Sequence, residues 1–336
     1  MAEKAAGLLA TLALLGTGCL APMGWVDVGS LETRYPAIAE QGGHRLAEFG
    51  PHFWIAGAEL LEFVCLWPGG ESIPVSLAGT PTGAERQLVE RAVEVLGPVI
   101  GRSFVVQPSA GPDSEAPQRG IAVEFIDGPD PEDPGRMSLT AGDAIADCRV
   151  DAPLAAAFGG SSLPAQLVYA SVRVRRSRAD ALGRVRPLGE VELLATLLHE
   201  LGHALGYSTH SRGGETVMRL APSEVRRLAR PVAAGRPLHD ATLSALYALD
   251  SGAIVRRGPV PPQALTTLRV CEMLARATNW SSAFTRSGAR SAEVWWRSPD
   301  GERIALIAPR PVPGESWSGI FALNANRAGR EALRAN

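Results

Sequence analysis

Residues 196–218 read TLLHELGHALGYSTHSRGGETVM and contain three of the six histidines of this 336-residue chain. Residues four apart share a face of an α-helix, so His199 and His203 can present two imidazoles to one metal ion. Glu200 follows His199 directly and can reach a water on that metal without being a ligand itself. The spacing therefore predicts a metal site carried by a helix.

The residues after His203 indicate how a third ligand can return to the same site. Gly206 lies about one turn farther on, and glycine at a helix end allows the left-handed backbone that reverses the chain. This reversal would bring His210 beside the first two histidines. Three neutral imidazoles with one open position are typical of catalytic rather than structural zinc, so we expect one Zn²⁺ ion bound by His199, His203 and His210.

Apolar residues before and within the motif predict the helix that carries it. They recur at helical spacing and are Val191, Leu193, Leu194, Leu197, Leu198, Leu201, Ala204 and Leu205. A histidine beside such an apolar stripe is more often an ordinary core residue than a ligand. Three histidines at these spacings, with a glycine between the second and the third, favour the metal site.

The complete pattern resembles the metzincin metalloproteases, and within them the matrixin-like bacterial branch. The metzincin signature is HExxHxxGxxH followed by a methionine-containing turn. The residues that match it are His199, Glu200, His203, Gly206, His210 and Met218. The third histidine stands one position late, because Thr209 occupies the strict slot; threonine is not a plausible ligand, so His210 is interpreted as the third one.

This resemblance implies both a fold and a reaction. The fold is α+β: a metzincin-type catalytic domain with a mixed twisted sheet, an active-site helix and a buried Met218 beneath the zinc, plus a small C-terminal α+β appendage. The implied activity is that of a zinc-dependent endopeptidase (a hydrolase), with zinc-bound water as the nucleophile and Glu200 as the general base. Its partner would be a protein or peptide substrate.

Two other interpretations stay open at this stage. A non-catalytic envelope protein could keep the metalloprotease fold as a binding module, although such a module would not need Glu200. A different zinc-peptidase branch would use a downstream glutamate such as Glu224 as the third ligand. That assignment leaves His210 and the spacing to Met218 unexplained.

Turn clusters and composition divide the chain into four segments. A hydrophobic content of 46% is that of a globular protein. The segments are residues 1–21 (signal peptide), 22–79 (N-terminal segment of unknown role), 80–255 (catalytic domain) and 256–336 (C-terminal appendage). The boundary between residues 79 and 80 lies in a Gly-Thr-Pro-Thr-Gly turn, and the boundary between residues 255 and 256 lies shortly before a Pro-Val-Pro-Pro linker.

The first 21 residues predict export. Lys4 precedes an apolar run over residues 5–15 that is too short to span a bilayer comfortably. Cys19, in a Thr-Gly-Cys sequence, is a candidate lipidated N-terminus, and cleavage after Ala21 is the alternative. The protein is expected to be secreted or in the cell envelope, with membrane contact only through this lipid.

Three cysteines remain in the mature chain, namely Cys65, Cys148 and Cys271. An exported protein permits one disulfide and one free thiol, and the sequence leaves the pairing open. In matrixin zymogens a pro-segment cysteine occupies the open position of the zinc. The sequence around Cys65 does not match that switch motif, so a buried structural cysteine is favoured.

Periodicity predicts the order of the other elements. Helices are expected at residues 84–100, 239–249 and 263–277, strands at 103–107, 121–126 and 167–174, and a hairpin at 292–307. By analogy with the family, Met137–Val150 is expected to form the edge strand along which a substrate peptide adds. Residues 173–186 are interpreted as an arginine-rich loop.

Charge patterns point to few further partners. Residues 127–133 form an acidic run that could hold Ca²⁺, but the spacing fits no calcium loop and a solvated loop is favoured. The isolated His239 is interpreted as structural. The basic residues are scattered rather than clustered with aromatic ones, so nucleic-acid binding is not expected.

Overall fold

The fold combines helices and strands, as a computed structural model shows. The structure describes residues 26–27, 52–56, 59–108, 119–127, 141–150, 162–179, 184–207, 210–211, 214–259, 282–287, 291–297, 303–309 and 322–325. In these parts the helices are α1 (Gly83–Ile100), α2 (Glu190–Ala204), α3 (Pro222–Ala233) and α4 (Ala241–Tyr247). The strands are β1 (Val26–Asp27), β2 (His52–Ala56), β3 (Glu59–Phe63), β4 (Ile73–Ala78), β5 (Phe104–Val106), β6 (Gly120–Ile126), β7 (Gly142–Val150), β8 (Ala165–Arg175), β9 (Ser177–Ala179), β10 (Val185–Pro187), β11 (Ile254–Pro259), β12 (Ser282–Ser287), β13 (Ser291–Arg297), β14 (Arg303–Pro309) and β15 (Ala322–Ala325).

The main sheet is mixed and has the strand order β15-β14-β13-β12-β7-β8-β6-β4-β5. β4 pairs in parallel with β5 and β6, and β6 pairs in parallel with β8. From β8 onward through β7 and β12 the pairing is antiparallel. Buried apolar side chains on both faces of β6 are typical of a central parallel strand. The expected mixed sheet in an α+β chain is therefore confirmed.

The helix that carries His199 and His203, α2, lies against β7 and β8 and also contacts α1 and α3. Its buried side chains include Leu194, Leu197, Leu198 and Leu201, which form the predicted apolar stripe. α1 begins with a capping box, in which the Thr82 hydroxyl accepts from the Glu85 amide and the Glu85 carboxylate accepts from the Thr82 amide. Both helices therefore have the amphipathic packing that the sequence indicates.

Two predictions for this region need correction. The expected edge strand Met137–Val150 is wrong for residues 146–150, because β12 pairs with them on the side opposite β8; within β7 only Gly142–Ile145 has no second strand beside it among the described residues. Residues 173–186 are not simply a loop, since β8 extends to Arg175 and β9 and β10 form an antiparallel pair. The pairing of β7 with β12 joins residues distant in sequence and has no signature in local periodicity. α3, which begins with Pro222 at its first turn, was not predicted either.

The sheet and the core continue across both expected domain boundaries. β4 lies before residue 79 and yet pairs with β6, while Phe63–Trp67 is buried in the same core as α2. At the other end, β12–β15 extend the main sheet beyond β7, and β11 pairs with β3 in a second sheet of order β1-β11-β3-β2. The predicted hairpin near residues 292–307 is confirmed as β13 and β14.

A disulfide joins Cys65 to Cys148, which are 83 residues apart and fully buried. It connects the segment after β3 to β7, two residues before the end of that strand. The favoured interpretation of Cys65 as a buried structural cysteine is confirmed, and its alternative role as a zinc-blocking thiol is excluded by this bond. Residues 1–21 with Cys19, Cys271 and the expected helix at 263–277 lie outside the described residues. No helix among the described residues has both the length and the hydropathy to cross a bilayer.

Replacing both Cys65 and Cys148 by serine is expected to lower the free energy of unfolding by about 2–5 kcal/mol, because the cross-link restricts the unfolded chain. Urea denaturation of the wild type and the double variant under oxidising conditions measures the difference. A reductant should destabilise the wild type but leave the double variant unchanged. Equal stability of the two proteins without reductant would contradict this expectation.

Candidate metal centre

Three imidazoles converge where α2 meets the chain that follows it. The ligand nitrogens of His199, His203 and His210 all lie within 4.8 Å of one another. The ring centroids are separated by 4.8 Å for His199 and His203, and by 5.1 Å for each of the other two pairs. The sequence-predicted ligands are thus brought together as a single group, the histidine cluster.

The spacing of this cluster fits a small tetrahedral ion. The Nε2 atoms of His199 and His210 are 3.2 Å apart. Two nitrogens that share a tetrahedral zinc at 2.0–2.1 Å are expected to be about 3.3 Å apart. Three imidazole donors also suit zinc and other first-row metals better than calcium or magnesium, which prefer oxygen. The cluster could therefore hold a metal ion.

Backbone carbonyls fix the orientation of the two helix histidines. His199 Nδ1 lies 2.6 Å from the Val217 carbonyl oxygen, and His203 Nδ1 lies 2.6 Å from that of Tyr207. A carbonyl only accepts, so each Nδ1 carries the proton and each Nε2 presents its lone pair to a metal. Burial lowers the pKa of His199 to about 4, so this ring is neutral at pH 7.

The end of α2 turns the chain back by a Schellman motif at Gly206. The amide of Tyr207 donates to the Gly202 carbonyl, and that of Gly206 donates to the His203 carbonyl. Gly206 has φ +106°, a conformation that L side chains rarely adopt. The predicted reversal at Gly206 is confirmed, and it leads the chain toward His210.

The predicted Met218 turn packs against α2 at Gly202, between the two helix histidines. Met218 is fully buried, and its carbonyl accepts from the Ser211 amide at 2.7 Å, which ties it to the segment after His210. A Cβ atom on Gly202 would overlap the Met218 sulfur. Gly202 therefore lets the methionine approach the backbone of α2 between the two helix histidines.

A buried carboxylate, that of Asp240, also supports this turn. Asp240 caps α4 through the Leu243 amide and in addition accepts from the Val217 amide at 2.8 Å and the Thr216 hydroxyl at 2.9 Å. The Val217 carbonyl is the group that orients His199. No sequence signal linked Asp240 to this turn, since the contact spans more than 20 residues.

Glu200 is buried beside the cluster, with 6% of its surface exposed. A Cβ atom on Gly142 of β7 would overlap Glu200 Cγ, so this glycine makes room for the carboxylate side chain. Burial, and secondarily the negative charge of Asp143, raise the pKa of Glu200 to about 8. A divalent cation bound nearby would lower the pKa of Glu200, because it favours the ionised carboxylate.

Other candidate ligands lie elsewhere. Glu224 forms a two-bond ion pair with Arg219 at 2.8 and 3.0 Å and is not part of the histidine cluster. This arrangement disfavours its role as the third ligand. Asp127 pairs with Arg176 at 2.9 Å, while the rest of the acidic run lies outside the described residues. His239 belongs to no metal-ligating group among the described residues.

The other end of α2 is held by Glu192. Its carboxylate pairs with Arg186 at 2.7 and 2.8 Å and with Arg226 at 2.8 Å, and it accepts from the Gly189 amide at 3.3 Å. The hydrogen bonds from Arg186 are the main reason that the pKa of Glu192 falls to about 2. This network joins the first turn of α2 to β10 and α3.

The Gly202→Ala substitution is expected to destabilise the protein by about 1–3 kcal/mol, because the new methyl group would displace the Met218 side chain. Urea denaturation checks this value, with Gly83→Ala as the matched control, since a Cβ atom at Gly83 meets nothing within 4 Å. A Gly202→Ala, Met218→Ala double variant should lose less unfolding free energy than the two single variants lose together. Strict additivity would contradict the proposed contact.

Replacement of Glu192 by glutamine is expected to cost about 1–3 kcal/mol at pH 7. The folded pKa lies below the unfolded value, so ionised Glu192 stabilises the fold above about pH 4.5, and this contribution is lost as the pH falls toward 2. Unfolding free energies at a series of pH values test the prediction. The Glu190→Gln variant, at an exposed neighbouring position, should have nearly the wild-type unfolding free energy at every pH. If Glu192→Gln lowered the unfolding free energy by the same amount at every pH, the linkage would be refuted.

No protein-family model matches this chain, and no curated protein matches its sequence. What is established is a mixed sheet packed against helices and a group of three histidines that could hold a metal ion, which is compatible with a metzincin.

Proposed function

We propose that this protein is a zinc-dependent endopeptidase of the matrixin-like metzincin type. The observation that carries the proposal is the histidine cluster with the buried, non-ligating Glu200 on the same helix. A structural metal site would need the three imidazoles but not a carboxylate adjacent to them in a dry environment. The Met218 turn packed against α2 at Gly202 is a second feature that favours this family.

The chain's own residues would act as follows. His199, His203 and His210 would hold a zinc ion, which would supply Lewis-acid activation of the substrate carbonyl and of water. Glu200 takes a proton from the attacking water as the new carbon–oxygen bond forms. It then gives that proton to the amine as the carbon–nitrogen bond breaks. Its burial keeps bulk water from competing for the same proton.

An extended peptide is the substrate that the surroundings of Glu200 favour. β12 pairs with β7 only from Ala146 onward. The other half of β7, Gly142–Ile145, has no strand paired with its outer edge among the described residues, and it begins beside Glu200. A peptide backbone that added to this edge would run past the metal centre.

The disulfide supports the proposal that the protein is exported. Bonds such as Cys65–Cys148 persist in oxidising compartments and are rare in the reducing cytosol. The predicted signal sequence in residues 1–21 points the same way. We therefore propose that the substrates are secreted or cell-envelope proteins.

The Glu200→Ala variant tests the role of the carboxylate. It is expected to keep about one zinc per chain, because Glu200 is not a ligand, and to lose about 10²–10⁴-fold in hydrolysis of unfolded casein. Metal content by elemental analysis and the release of soluble peptides measure the two effects. Glu190→Gln, an exposed change on the same helix, is the matched control and should keep full activity.

The outcomes separate the enzyme from a binding protein. Zinc in the wild type with no peptidase activity on any unfolded protein would favour a non-catalytic binding module with a metalloprotease fold. If the wild type and the His210→Ala variant both contained no zinc, the metal site itself would be refuted. Equal activity of wild type and Glu200→Ala would refute Glu200 as the base.

A further inference from the structure

The end of α2 leaves two carbonyl groups that the chain reversal does not use. The Schellman bonds occupy the carbonyls of Gly202 and His203, and the amide of Leu205 donates to Leu201. The carbonyls of Ala204 and Leu205 come directly after a predicted metal ligand. Both residues are fully buried, so their carbonyl groups need partners that replace water.

Two aromatic side chains from distant parts of the chain supply these partners. The Trp67 indole donates to the Ala204 carbonyl at 3.0 Å, in a bond that is buried. The Tyr247 hydroxyl, at the end of α4, donates to the Leu205 carbonyl at 2.9 Å. The two side chains therefore satisfy adjacent carbonyl groups of the last turn of α2.

The segment that carries Trp67 is fixed from several directions. The Val64 amide donates to the Ala253 carbonyl at 2.9 Å, and the Leu66 carbonyl accepts from Leu167 of β8 at 2.9 Å. Cys65 is bonded to Cys148 of β7. Such anchoring makes residues 64–67 a rigid support rather than a loose N-terminal extension.

This support also contacts the reversal itself. A Cβ atom on Gly206 would overlap the carbonyl oxygen of Cys65, so the turn lies directly on the segment. The next residue, Tyr207, provides the carbonyl that accepts from His203 Nδ1. A shift of the last turn of α2 would therefore move the group that sets the rotation of the His203 ring.

We propose that Trp67 and Tyr247 are positioning residues of the metal centre, which act on His203 through the last turn of α2 and the carbonyl of Tyr207. The disulfide-anchored residues 64–67 are then a part of the metal site, although none of them is a ligand. This inference rests on the proposed zinc site but does not require peptidase activity.

Trp67→Phe and Tyr247→Phe test the inference, because each keeps an aromatic ring and removes one hydrogen-bond donor. The rate at which zinc passes to a chromogenic chelator is expected to rise about tenfold in both, as for other groups that support a metal ligand. Trp54→Phe is the matched control, since Trp54 is a buried tryptophan of β2 in the second sheet. The visible spectrum of the cobalt-loaded proteins should change for the first two variants only.

The unfolding free energies of the metal-free variants separate positioning from general stability. Faster zinc release in Trp67→Phe or Tyr247→Phe than in a Trp54→Phe protein of similar stability supports the inference. Release at the wild-type rate with an unchanged cobalt spectrum in both variants would overturn it while leaving the zinc site intact. A wild type that binds no zinc would overturn the proposed site and this inference together.

Discussion

The orientation of the two helix histidines depends on two backbone carbonyls that lie outside the helix. His199 donates to Val217 and His203 donates to Tyr207, each at 2.6 Å. An isolated α2 peptide would carry the same histidines without these acceptors. The geometry of the candidate metal centre is therefore a product of tertiary structure, because the three histidines converge only when the chain after α2 has folded back onto it.

Three glycines allow other backbone and side-chain groups to approach α2 and its C-terminal turn closely. Gly142 on β7 leaves space for Glu200, Gly202 leaves space for Met218, and Gly206 leaves space for the carbonyl of Cys65. A methyl group at any of these positions would overlap a neighbouring atom. The site is thus formed by close contacts between the helix, the sheet, the methionine turn and the segment after β3, where only glycine fits.

The features predicted correctly from the sequence are local ones. The helix at 190–204, the reversal at Gly206 and the proximity of His210 follow from spacings of a few residues. The burial of Met218 was implied by the family resemblance. The features that were missed depend on residues distant in sequence. Asp240 beneath Val217, Trp67 on Ala204 and the pairing of β12 with β7 have no short-range signature. The choice of Cys148 as partner of Cys65 likewise required the tertiary fold.

The burial of residues 61–67 determines where this chain can be shortened. A fragment that began at residue 80 would lack β4, half of the disulfide and the indole that caps α2. The sheet would then present an unpaired edge at β6, and the end of α2 would face solvent. Proteolytic removal of an N-terminal segment is therefore compatible with this fold only if the cut lies upstream of β3.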